Sequence, residues 1–442
     1  MKKDKIVRTV SIVIIVAMFA CRPGGSKGPD LSLLALLAVG SNYGSNGIED
    51  TTNWDKRINN GSNDIASMVR IDGSGNVYVV GQGSNLINGT SNLDWWIKKF
   101  SGNGVEDTTN WDKKFNGGNA TGPDQARAVA IDSSGNVYVV GNGRELVTAG
   151  TSSTDWWIKK INSNGVEDLT WDKKFNGGLA TGPDDLFAVV VDSTGSVYVA
   201  GSADIWIKKF NSSGTEDTVN WDKKFDGNTA ADALYSLALD SSGNVYVVGS
   251  GTNLVGATGL DWWIKKFSSA GVEDLTWNKK ISSAGNAADE AKYVAIDPVG
   301  NVFVVGYGTN LVSGTSSFDM WIKKFSSSGV EDMSWDKKID GNGSADQAFG
   351  CTVDNLGQLY LAGTGSNIAG PATALDMWIK KYSATGVEDV ANWDKKISSS
   401  GGVSDAGLSV ALDASGKVFV SGIGTNLVSG TSGVDWWIKK FN

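Results

Sequence analysis

The chain has 442 residues, a net charge of −9, 57 glycines, 6 prolines, 18 tryptophans, two cysteines and no histidine. Without histidine no Ser-His-Asp or Cys-His catalytic arrangement and no imidazole metal site can form, and two cysteines make no disulfide framework. Setting aside the +3 of residues 1–20 leaves −12 (−9 − 3), which speaks against nucleic acid as a partner.

In chain order, "MKKDKIVR" is a basic start and "TVSIVIIVAMFA" (residues 9–20) an apolar run too short to span a bilayer comfortably. Together they predict an export signal over residues 1–20. The following "MFAC" resembles a bacterial lipobox, with Met18 and Phe19 where Leu and a small residue are usual. That resemblance implies cleavage before Cys21 and a lipid on its thiol and new amino group. The alternative is a plain secretory signal with an incidental cysteine. Residues 21–46 then hold a flexible stretch, "RPGGSKGPD", and a short apolar run at 31–40, which either lies on the domain that follows or belongs to the anchor. Arg22 lacks the acidic character that keeps some bacterial lipoproteins at the inner membrane, so the resemblance implies the outer membrane.

From residue 47 onward the chain repeats itself. Asp-x-Trp-Ile-Lys-Lys begins at Asp94, Asp155, Asp204, Asp261, Asp319, Asp376 and Asp435, seven copies 49 to 61 residues apart. Trp-(Asp/Asn)-Lys-(Lys/Arg) begins at Trp54, Trp111, Trp171, Trp221, Trp277, Trp335 and Trp393. A feature made seven times is first of all architecture. In the second full repeat four strand-like runs follow one another: a, "ARAVAI" (126–131); b, "NVYVVG" (136–141); c, "DWWIKKI" (155–161); and d, "TWDKKF" (170–175). Four short strands, seven times over, predict an all-β fold, a single seven-bladed β-propeller over residues 47–442. The chain enters with a d strand at 52–57 and ends after the seventh c strand, so the N-terminal strand is expected to complete the last blade.

"AIDSSGNVYVVG" followed by "DWWIKKF" resembles the bacterial seven-bladed propeller repeat of SBBP type, and more distantly NHL repeats. The likeness covers about residues 47–442, with the Trp-rich c and d strands departing from the commonest versions. It implies the fold and says little of activity.

The motif residues read as scaffold. If "SGNG" (101–104) is the c–d turn, Lys99 faces Glu106 and Lys98 faces Asp107; Lys160 likewise faces Glu167, and Lys159 faces Asp168. The distance from Val105 to Trp111 is six residues but from Val166 to Trp171 five, which predicts a bulge or break in strand d. All 18 tryptophans lie in the two motifs, either filling the wedge between blades or offering an aromatic surface to sugars. Of 39 basic residues, 28 are in the motifs and six in the first 27 residues, leaving Arg70, Arg127, Arg144, Lys292 and Lys417. Cys351, in strand a of the sixth blade, is expected to be a buried free thiol.

Function is expected on the face that carries the b–c and d–a connections. Those loops are long and variable, whereas every a–b turn is a compact Asp-x-x-Gly. Blade three has only "GSAD" (201–204) for its b–c loop, a notch in that face. Eight residues before each a–b turn stands another aspartate: Asp64, Asp124, Asp184, Asp232, Asp289, Asp346 and Asp405. Such a ring either binds Ca²⁺ or ties loops to blades through backbone N–H groups. No catalytic residue and no other cofactor is indicated. The expectation is an exported, lipid-anchored, monomeric binding or scaffold protein, meeting a protein or glycan through the loop face and the membrane through its lipid. The competing expectation is an enzyme acting on polysaccharide or another envelope polymer with axial carboxylates. A loop-face carboxylate present in one blade only, with a raised pKa, favours the enzyme; a uniformly sevenfold pocket disfavours it.

Overall fold

The computed structural model describes residues 45–442 apart from 62, 88–91, 118–121, 148–153, 177–183, 203–204, 226–231, 256–258, 284–287, 313–316, 342–344, 370–374, 400–403 and 430–432. Cys21, the export signal and the apolar run at 31–40 lie outside the described residues. No described helix is long and apolar enough to cross a membrane.

Seven sheets of four antiparallel strands form a ring, a β-propeller. The first blade is Ile65–Ile71, Val77–Ser84, Leu93–Phe100 and Lys113–Phe115, strands a to d. The seventh takes its first three strands from Ala406–Leu412, Val418–Thr425 and Val434–Phe441, and its outer strand from Lys56–Ile58, pairing Lys56 with Ile438 and Ile58 with Trp436. The expected closure is present. Neighbouring a strands touch all round the ring, so strand a lines the axis. Strand b, such as Val77–Ser84, is buried along its length because blades cover both of its faces, which is why it reads as an unbroken apolar run.

The tryptophans are the wedges. All 18 are buried. The doubled tryptophan of strand c packs on the c-strand tryptophan of the adjoining blade, as in Trp95 with Trp157 at 4.7 Å and Trp156 with Trp206 at 5.1 Å. The d-strand tryptophan meets the aromatic of strand b in its own blade and the end of strand c in the next: Trp171 lies 5.0 Å from Tyr138 and 5.9 Å from Phe210. Strand d breaks as expected. In most blades a turn or a short helix, such as Leu275–Trp277, precedes a three-residue strand; blade two keeps Glu167–Phe175 with a register shift.

The hairpin register is corrected. Ser101 pairs with Val105 and Phe100 with Glu106, while the Asp107 amide donates to the Lys99 carbonyl. The loop is Gly102-Asn103-Gly104, with Gly104 at φ 80°, a left-handed residue that makes a three-residue connection favourable. Lys98 therefore pairs with Glu106 and, at 2.9 Å, with Asp112, which also accepts the Trp96 indole N–H at 2.7 Å. In blade two Lys159 takes Glu167, and Lys160 reaches Asp168 at 3.6 Å. The Lys98 side chain is only 6% exposed, so these are buried networks rather than surface pairs.

The b–c connections start on a left-handed residue: Asn85, Asn253, Asn310, Asn367 and Asn426 have φ of 53–56°, and blade two places Glu145 there at 54°. Asn tolerates this region and Glu does not, at a cost of about 1–2 kcal/mol. Glu145→Asn is expected to stabilise the protein by about 1 kcal/mol, read as a higher urea midpoint at unchanged slope; an unchanged midpoint would count against the strain.

Candidate functional site

The seven ring aspartates sit at the start of strand a, all buried. Asp124 accepts the Arg144 amide at 2.8 Å, from the end of its own strand b, and the Gly117 amide of the preceding d–a connection. Asp64, Asp289, Asp346 and Asp405 repeat the arrangement, with Ser84, Thr309, Ser366 and Thr425 donating at 2.8 to 2.9 Å; Asp232 accepts from Thr252 at 2.7 Å. Their own amides reach back one blade: Asp64 to the Val434 carbonyl at 2.8 Å, Asp184 to Thr154 at 3.2 Å. Six of the seven carboxylates thus accept an amide from the end of strand b in their own blade. An ion shared by the ring would have to displace those amides.

Blade five differs. Asp340 stands where Asn116 donates to Asp94 at 2.7 Å in blade one, so ligand oxygens of Asp319, Asp340 and Asp346 lie within 4.8 Å of one another. Burial pushes Asp346 up to about 7, against two amide hydrogen bonds and with Asp340 adding to the rise; burial likewise raises Asp124 to about 7. The unfolded chain ionises these carboxyls near 4. Each therefore contributes stability that is complete below that value, shrinks as pH rises and is gone above about 7. A thermal melt series is expected to show Tm falling from about pH 5 to about pH 8, with Asp340→Asn reducing the fall. A Tm rising over that interval would contradict these shifts.

The axis is where sevenfold repetition fails. In every blade the register between strands a and b shifts at the same place, two residues into strand a on its loop-face side. One residue is left over and re-aimed by the bulge: Ser67, Arg127, Phe187, Tyr235, Lys292, Phe349 and Leu408 in blade order. Four consecutive ones touch. The Arg127 guanidinium lies 5.6 Å from the Phe187 ring, Phe187 is 5.2 Å from Tyr235, and the Lys292 ammonium lies 3.7 Å from the Tyr235 ring.

Two carboxylates join them, Asp185 in blade three and Glu290 in blade five. Lys292 pairs with Glu290. Burial pushes Glu290 up, but Lys292 and hydrogen bonds from Lys292, Tyr307 and Tyr235 outweigh it and hold it below its usual value. Burial pulls the Lys292 ammonium down, Glu290 opposing and Arg127 adding to the fall. Asp185 stays above its usual value because burial outweighs the pull of Arg127. It is a loop-face carboxylate with no counterpart in the other blades except Glu290. Its backbone is held by Ser202 of the shortened b–c connection, at 3.1 and 2.8 Å, so the notch of blade three adjoins this charged sector.

Toward the turn face the axis becomes apolar. Cavities of about 320 and 260 Å³ are lined by Ile71, Ile131, Val191, Leu239, Ile296, Val353, Leu412 and their neighbours. Arg70 of blade one reaches Tyr293 of blade five, donating to its hydroxyl, with 5.9 Å from guanidinium to ring. This bar spans the axis between charged mouth and apolar throat. Cys351, buried at the throat, has its thiol pushed up by burial, an inert packed residue.

The sequence put the ring aspartates just before strand a, where they stand one to a blade. It missed the mouth. The available signal was that three of the five basic residues outside the motifs, Arg70, Arg127 and Lys292, fall in strand a.

No protein-family model and no curated protein matches this sequence. Among solved structures, a polysaccharide lyase described as an ulvan lyase and bound to -[GlcA(1-4)Rha3S]- superposes with a TM-score of 0.52 at 13% identity, over 86% of this chain and 95% of that one. A protein of unknown function from Dyadobacter fermentans gives 0.49 at 11%, over 89% and 99%. YCF48 from Cyanidioschyzon merolae gives 0.47 at 9%, over 88% and 99%. What the chain has in common with the first of these is the propeller fold, and the fold alone.

Proposed function

We propose that this chain is an exported binding protein, anchored through a lipid on Cys21, that takes a protein or glycan ligand at the loop-face mouth of its axis. One observation carries the reading. Tryptophans, motif lysines and ring aspartates recur in every blade and are occupied with packing or hydrogen bonds, whereas Arg127, Phe187, Tyr235 and Lys292, unlike in each blade, converge beside the notch. The test is a panel of acidic and neutral oligosaccharides against the immobilised protein, comparing wild type with Phe187→Ala and with Val105→Ser on the outer rim. Binding lost only in the mouth variant supports the reading; equal binding in all three sinks it. For the anchor, Cys21→Ala is expected to release the protein from the membrane fraction, and persistent membrane association would contradict lipidation.

Asp185 favours a second reading, an enzyme cleaving a polymer with that carboxyl as general acid or base. Product release from a bound oligosaccharide, abolished by Asp185→Asn while binding survives, would select it over simple binding.

A further inference from the structure

We infer that the mouth is an oxyanion site in which Arg127 holds one carboxylate, sulfate or phosphate group of the ligand. This rests on the reading of the mouth as the place of binding and names the chemistry it selects. Arg127 is the observation that carries it. Among the described residues its buried Nε has no hydrogen-bond partner, and no carboxylate lies at ion-pairing distance from its guanidinium. The Phe187 ring lies 5.6 Å from it. The first lysine of each strand-c motif pairs with a glutamate, as Lys98 does with Glu106, and Arg127 has no such partner among the described residues.

An uncompensated charge out of water is costly, and two features near Arg127 fail to relieve it. Glu290 is taken by Lys292 and two tyrosine hydroxyls. Asp185, the other carboxyl of the sector, attracts Arg127 but does not come within ion-pairing distance of it, and burial holds its pKa above the usual value. Arg127 in turn repels the Lys292 ammonium. An anion on Arg127 relieves that charge, and a guanidinium presents paired N–H groups that match a planar carboxylate or a tetrahedral oxyanion. Phe187 and Tyr235 supply apolar faces beside that charge. An acidic saccharide meets both requirements, with the anion on Arg127 and the ring on the aromatics; a free phosphate or sulfate meets only the first.

The test titrates the whole protein with glucuronate, glucose, inorganic sulfate and inorganic phosphate at constant ionic strength, read by calorimetry and by thermal shift. Glucuronate is expected to bind and glucose not to. Arg127→Gln should weaken glucuronate by about tenfold or more, Arg127→Lys by less, and Asp185→Asn, which removes a competing carboxylate, should tighten it. The thermal midpoint of each variant without ligand shows whether it is folded, and Arg127→Lys keeps the test standing should Arg127→Gln unfold. Binding of sulfate and phosphate as tight as that of glucuronate would assign the site to the free anion. Anion binding unchanged in both Arg127 variants, or absent in wild type, overturns the inference. In that event, neutral oligosaccharides still bound in a Phe187-dependent way leave the binding reading intact, and loss of those too removes it.

Discussion

A chain lacking residues 1–58 is expected not to form a monomeric propeller, whereas one lacking only residues 1–44 is expected to fold normally. The outer strand Lys56–Ile58 closes the seventh blade, and what precedes it is equally engaged. Trp54 is fully buried, 4.9 Å from Phe419 of blade seven and 5.8 Å from Phe100 of blade one, and its indole donates to the Gly102 carbonyl at 3.0 Å. Lys439, 4% exposed at its side chain, is paired with Glu49 and, at 3.1 Å, with Asp55. Deletion removes a core tryptophan, worth about 3–5 kcal/mol, and strands a buried lysine, worth about as much. It also bares Val434–Phe441 as an edge open to other chains. The sum rivals the whole stability of a domain. Size-exclusion chromatography and tryptophan fluorescence read the outcome: aggregates or strand-exchanged oligomers are predicted, and a soluble monomer with an unchanged Tm would contradict the closure.

Trp171→Ala is expected to cost about 3–5 kcal/mol. This side chain is fully buried and links blades two and three through Tyr138 and Phe210. Trp171→Phe should cost much less, because the Trp171 indole N–H has no partner to lose; at Trp221, whose indole donates to the Ser269 carbonyl at 3.2 Å, the same exchange also breaks a hydrogen bond. Urea denaturation of the four proteins, wild type included, measures this. Equal losses for Trp171→Ala and Trp171→Phe would mean that the interface collapses around the smaller side chain and that the tryptophans are not wedges.

Repetition is what made the fold legible. Trp-Asp-Lys-Lys and Asp-x-Trp-Ile-Lys-Lys recur because Asp112 and its counterparts accept the c-strand indole N–H while the c-strand lysine closes the network; blade four does the same with Asn278 at 2.7 Å from Trp263. The break in strand d was readable from a one-residue difference in spacing. The hairpin register was not, because a four-residue turn and a three-residue turn with left-handed Gly104 share the letters Ser-Gly-Asn-Gly. The mouth was harder still. Arg127 and Lys292 stood out as basic residues without a motif, but nothing in the sequence says that a bulge recurs two residues into each strand a and turns the extra side chain to the axis. Asp185 was hidden by its neighbour Asp184, which belongs to the sevenfold set.

The proposed place of binding is where the sevenfold pattern fails. A crystallographic fragment screen with small acids, sugars and apolar fragments tests it most directly, since it assumes no ligand. The account predicts that fragments collect at the mouth, with acids in contact with the Arg127 guanidinium and rings against Phe187 and Tyr235. Fragments gathered instead on the outer rim or in the apolar throat, with none at the mouth, would contradict it.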